Sequence, residues 1–161
     1  MGLDMYLTRE IYIGNSPGED ENIFGLKIDI EVALNKEKIP LGAIKYVTDE
    51  VMYWRKANAI HRWFVENVQE GKDDCQRYEI ETKKLVEFFD LLVKAHLTKD
   101  PTIFEPQEGF FFGSSDIDDW YWENILNTIE VLKPHVDMIK SEEKQDKDTI
   151  GVTTYYYQAS W

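Results

Sequence analysis

The 161-residue chain carries 18 Lys and Arg against 31 Asp and Glu, a formal charge of −13, with 43% hydrophobic and 14% aromatic residues. That length suits one domain, 1–161, able to bury a core, and the aromatic content excludes a disordered acidic solvator. The charge excludes broad binding to a nucleic-acid backbone and adsorption to anionic membranes, while the single Cys75 excludes an intrachain disulfide and a cysteine-built zinc site.

The opening Met1-Gly2-Leu3-Asp4 has no basic segment followed by an apolar run, and no window approaches the roughly 18 apolar residues of a spanning helix, so a cytoplasmic location is expected. Leu3 to Ile13 reads as a first strand, with Leu3, Met5 and Leu7 alternating against Asp4, Tyr6 and Thr8. Gly14 to Gly18 supplies turn residues. Leu26, Ile28, Ile30, Val32 and Leu34 then alternate with Lys27, Asp29, Glu31 and Ala33, which predicts a second strand pairing antiparallel with the first through a long polar loop.

After Pro40 the spacing predicts a strand that leads into a helix near Arg55. Ala57, Ile60, Phe64 and Val68 form the apolar stripe of that helix, with Arg55, Asn58, Arg62, Glu66 and Gln69 opposite and His61 on the stripe's edge. Tyr78-Glu79-Ile80 is a short strand, and Thr82 caps a second helix whose core positions are Leu85, Phe88, Phe89, Leu92 and Leu97. A third helix is expected from Gly113-Ser114-Ser115-Asp116 to about Leu132, stopped by Pro134. Val152 to Trp161 returns as a strand. Together these predict an α+β domain, a mainly antiparallel sheet packed against a single layer of about three helices.

The richest chemistry lies in Tyr53 to Val65. From Val51 to Val65 no acid appears, so this is where an anion meets least repulsion in an acidic molecule. Trp54, Arg55, Lys56, Asn58 and His61 are the candidate ligand-binding group: Arg55 or Lys56 pairs with an anionic group, His61 takes a hydrogen bond, and Trp54 stacks on a flat ring. The blander reading is an amphipathic helix with a solvated basic face and a core histidine. Gly109 to Ser115 could cradle an anion, but Asp116, Asp118 and Asp119 follow at once, which favours a structural turn. His61, His96 and His135 lack metal-ligand spacing, and no nucleophile, phosphate-loop or dinucleotide motif is present, so neither metal nor cofactor is expected. Tyr155-Tyr156-Tyr157 fits a pocket wall, an edge strand for self-association into a homo-oligomer, or plain sheet packing.

Four blocks, Gly2 to Leu7, Tyr53 to Val65, Gly109 to Ser114 with Asp119-Trp120-Tyr121, and Tyr155 to Trp161, make the chain similar to a group of small, uncharacterised bacteriophage and prophage proteins. The resemblance implies the cytoplasm of an infected or lysogenic bacterium and supplies no catalytic residue. The leading expectation is a non-enzymatic phage accessory protein that binds a small polar or anionic, nucleotide-like ligand. The alternative is an acidic inhibitor that competes for a basic host protein, as a DNA mimic would. A third is an enzyme acting on nucleotides or phosphoesters through His61.

Overall fold

Leu3, Met5 and Leu7 are fully buried and the residues between them half-buried, and this period of two forms the strand β1, Asp4–Tyr12. The computed structural model describes residues 2–12, 31–32, 37–38, 45–142 and 153–161. Two two-residue strands, β2 (Glu31–Val32) and β3 (Glu37–Lys38), pair with each other. The main sheet adds β4 (Tyr46–Arg55), β5 (Tyr78–Ile80) and β6 (Thr153–Ser160) in the order β4-β1-β6-β5, all antiparallel. Met5 lies opposite Trp54 and Ala159, and Leu7 opposite Met52 and Tyr157, so one face of the sheet is a continuous apolar floor. The β1–β4 register shifts between Leu7 and Thr8, where Val51 is the extra residue of a bulge.

Three helices among the described residues cover that floor: α1 (Asn58–Asn67), α2 (Thr82–Thr98) and α3 (Asp119–Glu142). The fold is therefore α+β, with a four-stranded antiparallel sheet and helices on one side. Phe64 of α1 stacks on Tyr157 with ring centroids 4.0 Å apart and planes 8° from parallel. Phe88 of α2 meets Phe64 at 4.8 Å and Trp63 at 4.6 Å. From α3, Ile125, Leu132, Val136 and Ile139 are buried, and Thr128 accepts the Trp54 indole N–H at 2.7 Å. No helix among the described residues is long and apolar enough to cross a membrane.

Several expectations need correction. β1 pairs with β4 and β6, and of the run Leu26 to Leu34 the described Glu31 and Val32 pair with Lys38 and Glu37 instead. Most of that run, like Ile13 and Val152, lies outside the described residues. Thr82 is the first helical residue rather than a cap, for the N-cap is Glu81 and no side chain bonds there. Leu97 is 76% exposed, and Ala95 takes the inner position on the last turn of α2.

The third helix starts later and ends later than its sequence signals indicate. Ser114 and Asp116 bond to each other in a turn, whereas Asp118 caps α3 by accepting the Tyr121 N–H at 2.9 Å. Pro134 does not stop α3. Its ring and Glu130, whose carbonyl loses a partner, both sit on the exposed side, where water can satisfy the carbonyl while Leu132, Val136 and Ile139 continue the buried stripe.

The Phe64–Tyr157 stack predicts that Phe64→Ala loses about 3–5 kcal/mol in urea unfolding. Leu97→Ala is expected to stay within about 0.5 kcal/mol, because little surface is buried there.

Candidate functional site

The five residues singled out in the sequence are split by the fold among three environments. Period-two alternation in β4 turns Trp54 inward and Arg55 outward, so the two leave the sheet on opposite faces. Trp54 is 1% exposed, lies 6.0 Å from Phe64 and donates to Thr128, which leaves no open ring face for a ligand. Arg55 sits at the outer edge of the sheet, opposite Asp4. Arg62, the third cation of the segment, is paired with Glu66 at 2.8 Å and Glu105 at 3.0 Å.

His61 is fully buried. Its Nε2 lies 3.0 Å from Asp73 Oδ1 and its Nδ1 lies 2.7 Å from the Tyr157 hydroxyl. An ionised carboxylate only accepts, so Nε2–H donates to Asp73 and Nδ1 accepts the Tyr157 O–H. Burial lowers the imidazole pKa against the opposing pull of Asp73, and burial also holds the Tyr157 hydroxyl well above the usual phenol range. The result is a neutral, fully engaged relay with Phe112 and Trp161 packed edge-on against the imidazole at 5.1 and 5.6 Å. His61 therefore holds the structure together and does not face a ligand.

Lys56 and Asn58 remain, and they meet at a cleft. Lys56 turns the chain from β4 into α1 with φ of 56°, its N–H bonded to the Leu3 carbonyl at 2.8 Å. Asn58 is 4% exposed because its carboxamide donates to the Phe112 and Ser114 carbonyls at 3.2 and 2.8 Å, tying the Gly109–Ser114 loop to the start of α1. The stem of Lys56 packs on Gly113, whose φ is 88° and whose missing Cβ would sit 3.1 Å from Lys56 Cβ. A side chain at Gly113 would thus be strained and crowded at once.

Between the N-terminal ends of α1 and α3 lies an open cavity of about 240 Å3, lined by Lys56 and Ala57 to Ile60 on one wall. Ser114, Asp116, Asp118, Trp120, Tyr121 and Asn124 form the other. Trp120 is 57% exposed. Tyr121 anchors the base of this wall by donating to the Phe104 carbonyl at 2.8 Å, and burial pushes its pKa up to about 12. The walls differ in charge. Asp118 already caps α3 and Asp116 accepts the Ser114 hydroxyl at 2.7 Å, whereas α1 has neither a side-chain cap nor an acid in its first turn. Its leading amides are left without an intrahelical acceptor, and Lys56 lines the same cavity.

Trp120, Asp116 and Asp118 were not part of the predicted group. Their one signal is an indole among acids at a helix start, off the inward stripe of Ile125, Ile129 and Leu132. The Tyr53–Arg62 segment and the Phe110–Ser115 turn do converge at the cleft. Tyr155 and Tyr157 do not, since both are fully buried in the core. Among the described residues no group of three His, Cys, Asp or Glu is placed to hold a metal ion. No protein-family model, curated protein or solved structure matches the chain.

The neutral state of His61 predicts a pH dependence with a definite sign. The unfolded imidazole takes up a proton near pH 6.5 and the folded one only at lower pH, so the unfolded state holds more protons between those values. Stability contributed by His61 is complete above about pH 6.5 and declines as pH falls below it. Urea unfolding of wild type and His61→Gln from pH 5 to 8 checks this: His61→Gln is expected to be less stable at the upper end by on the order of 2 kcal/mol and to lose less on acidification.

Proposed function

We propose that the chain captures a small polar ligand with an anionic group, nucleotide-like in build, in the cleft between the N-terminal ends of α1 and α3. The single observation that carries this reading is the asymmetry of the two walls. The α3 end supplies its own carboxylate cap, while the α1 end leaves its amides and Lys56 turned to one cavity with no acid of their own. An anionic group on the ligand fills that role, as phosphates do at helix N-termini. The exposed ring of Trp120 gives a flat moiety a stacking surface, and Asp116 offers an acceptor to ring or exocyclic N–H groups.

The reading is capture rather than turnover, because the imidazole proposed as a general acid or base is sealed beneath Phe112 and Trp161 with both nitrogens bonded. In the phage-infected cell that the sequence resemblance implies, sequestering a host signalling molecule would suit such a protein.

Calorimetry against a panel of nucleosides and their mono-, di- and triphosphates tests the proposal. Wild type is expected to bind phosphorylated members in preference to the nucleosides, Lys56→Ala to weaken that binding about tenfold, and Trp120→Ala to reduce discrimination between bases. Arg55→Ala, on the far face of the sheet, should leave the affinity unchanged. Absence of binding by wild type across the panel, or loss on Arg55→Ala with none on Lys56→Ala, would overturn it.

A further inference from the structure

The face of the sheet turned away from the helices carries a second site. Residues paired across its strands, Tyr46 with Tyr12, Tyr53 with Tyr6, and Tyr156 with Thr8, put five tyrosines on one surface, and Asp4, Glu10, Glu50 and Glu79 stand among them. Tyr12, Tyr46 and Tyr53 are 39%, 56% and 42% exposed, so this is not a covered core face. At one end Glu10, Tyr12, Tyr46, Thr154 and Tyr156 line an open hollow of about 360 Å3, with no Lys or Arg among the described residues of its wall. Tyr12 and Tyr46 form a tilted pair with centroids 5.2 Å apart.

The molecule already seats one cation at the margin of this hollow. The guanidinium carbon of Arg77 lies 3.6 Å from the centre of the Tyr156 ring, and its Nη2 is 3.4 Å from Glu10 Oε2. This is stacking on an aromatic face with a carboxylate at the edge, which suits a planar guanidinium better than a compact ammonium. The Tyr12–Tyr46 side adds a second aromatic surface beside the same Glu10, of whose two oxygens Arg77 meets Oε2, and has no arginine of its own among the described residues.

We propose that this hollow is a docking site for an arginine side chain of a basic partner segment, laid against the exposed surface of the Tyr12–Tyr46 pair with its N–H groups turned to Glu10. Charge complementarity selects the occupant. A chain of formal charge −13 draws a basic partner from a distance, and the carboxylates that attract a guanidinium repel the phosphates of a nucleic acid whose bases would otherwise stack on the tyrosines. The site is independent of the cleft, which lies on the helical side of the sheet, and it gives the acidic surface a specific point of contact with a protein.

The test is calorimetry of the full chain at low salt with an end-blocked peptide of alternating Arg and Gly, and with the same peptide carrying citrulline, the neutral isostere. The arginine peptide is expected to bind and the citrulline peptide not. Tyr46→Ala should weaken binding about tenfold, within the range of cation–π contacts, and Tyr46→Phe should retain it. No binding of the arginine peptide overturns the proposal. So does binding that Tyr46→Ala leaves intact, which is attraction to the acidic surface at large.

Two further outcomes would reassign the hollow. Equal affinity for end-blocked single arginine makes the occupant a small organic cation, and a concentration-dependent dimer abolished by Tyr46→Ala makes it a second copy of the chain. Either overturns the partner-protein assignment.

Discussion

The hydrogen bonds of His61 hold α1 in one rotation about its own axis, and the placement of Asn58 and Phe64 follows from that. Tyr157 comes from the sheet and Asp73 from the loop after α1, so one imidazole joins three segments at a point closed to water. A buried imidazole left half-bonded would cost about 1–3 kcal/mol, so neighbouring rotations of the helix are penalised as strongly as this one is favoured. With His61 held there, Phe64 falls on the Tyr157 ring one turn later and Asn58 falls at the Gly109–Ser114 loop one turn earlier. The cleft wall is thus set by a bond that the cleft itself never touches.

Net charge is a poor guide to what such a molecule attracts at short range. Fields of separated surface charges fade over about 8–10 Å at physiological salt, so the −13 total governs approach while the nearest few groups govern docking. In the cleft those groups are Lys56 and the leading amides of α1 on one wall, and on the other Asp118, engaged as the cap of α3, and Asp116, which accepts the Ser114 hydroxyl. On the outer sheet face they are Glu10 and three tyrosine rings, with Arg77 already seated on Tyr156 and Glu10 at the margin. The anionic ligand and the arginine proposed above would therefore meet opposite sides of the sheet.

Much of the fold was legible because it is written in local periods. The alternation through Leu3, Met5 and Leu7 and the helical spacing of Leu85, Phe88 and Leu92 each mark a face, and the structure buries those faces. What local pattern could not show is the partner of a polar side chain. Asn58 and Gln69 sit opposite the apolar stripe by spacing, yet both are buried, and the Asn58 carboxamide is satisfied by carbonyls 54 and 56 positions away. His61 finds Tyr157 across 96 positions. Pro134 fails as a stop signal for a related reason: its cost depends on whether the orphaned carbonyl faces water, which is a tertiary fact.

The predicted site was half legible for the same physical cause. A run of cations and aromatics with no acid marks a segment, but strand alternation followed by a sharp turn distributes its side chains in different directions. Trp54 goes to the core, Arg55 to the outer face and Lys56, through its left-handed backbone, to the cleft. Replacing the left-handed residue by a β-branched one would strain the backbone just where the chain leaves the sheet, whereas a lysine with its unbranched stem laid on Gly113 and its Cε 3.2 Å from where a Gly2 Cβ would be uses the room those two glycines leave. The residues of the Gly2, Lys56 and Gly113 blocks are far apart in sequence but touch at one corner of the cleft. That contact gives the three blocks a shared structural reason to be what they are: two backbones without side chains leave room for the stem of one lysine.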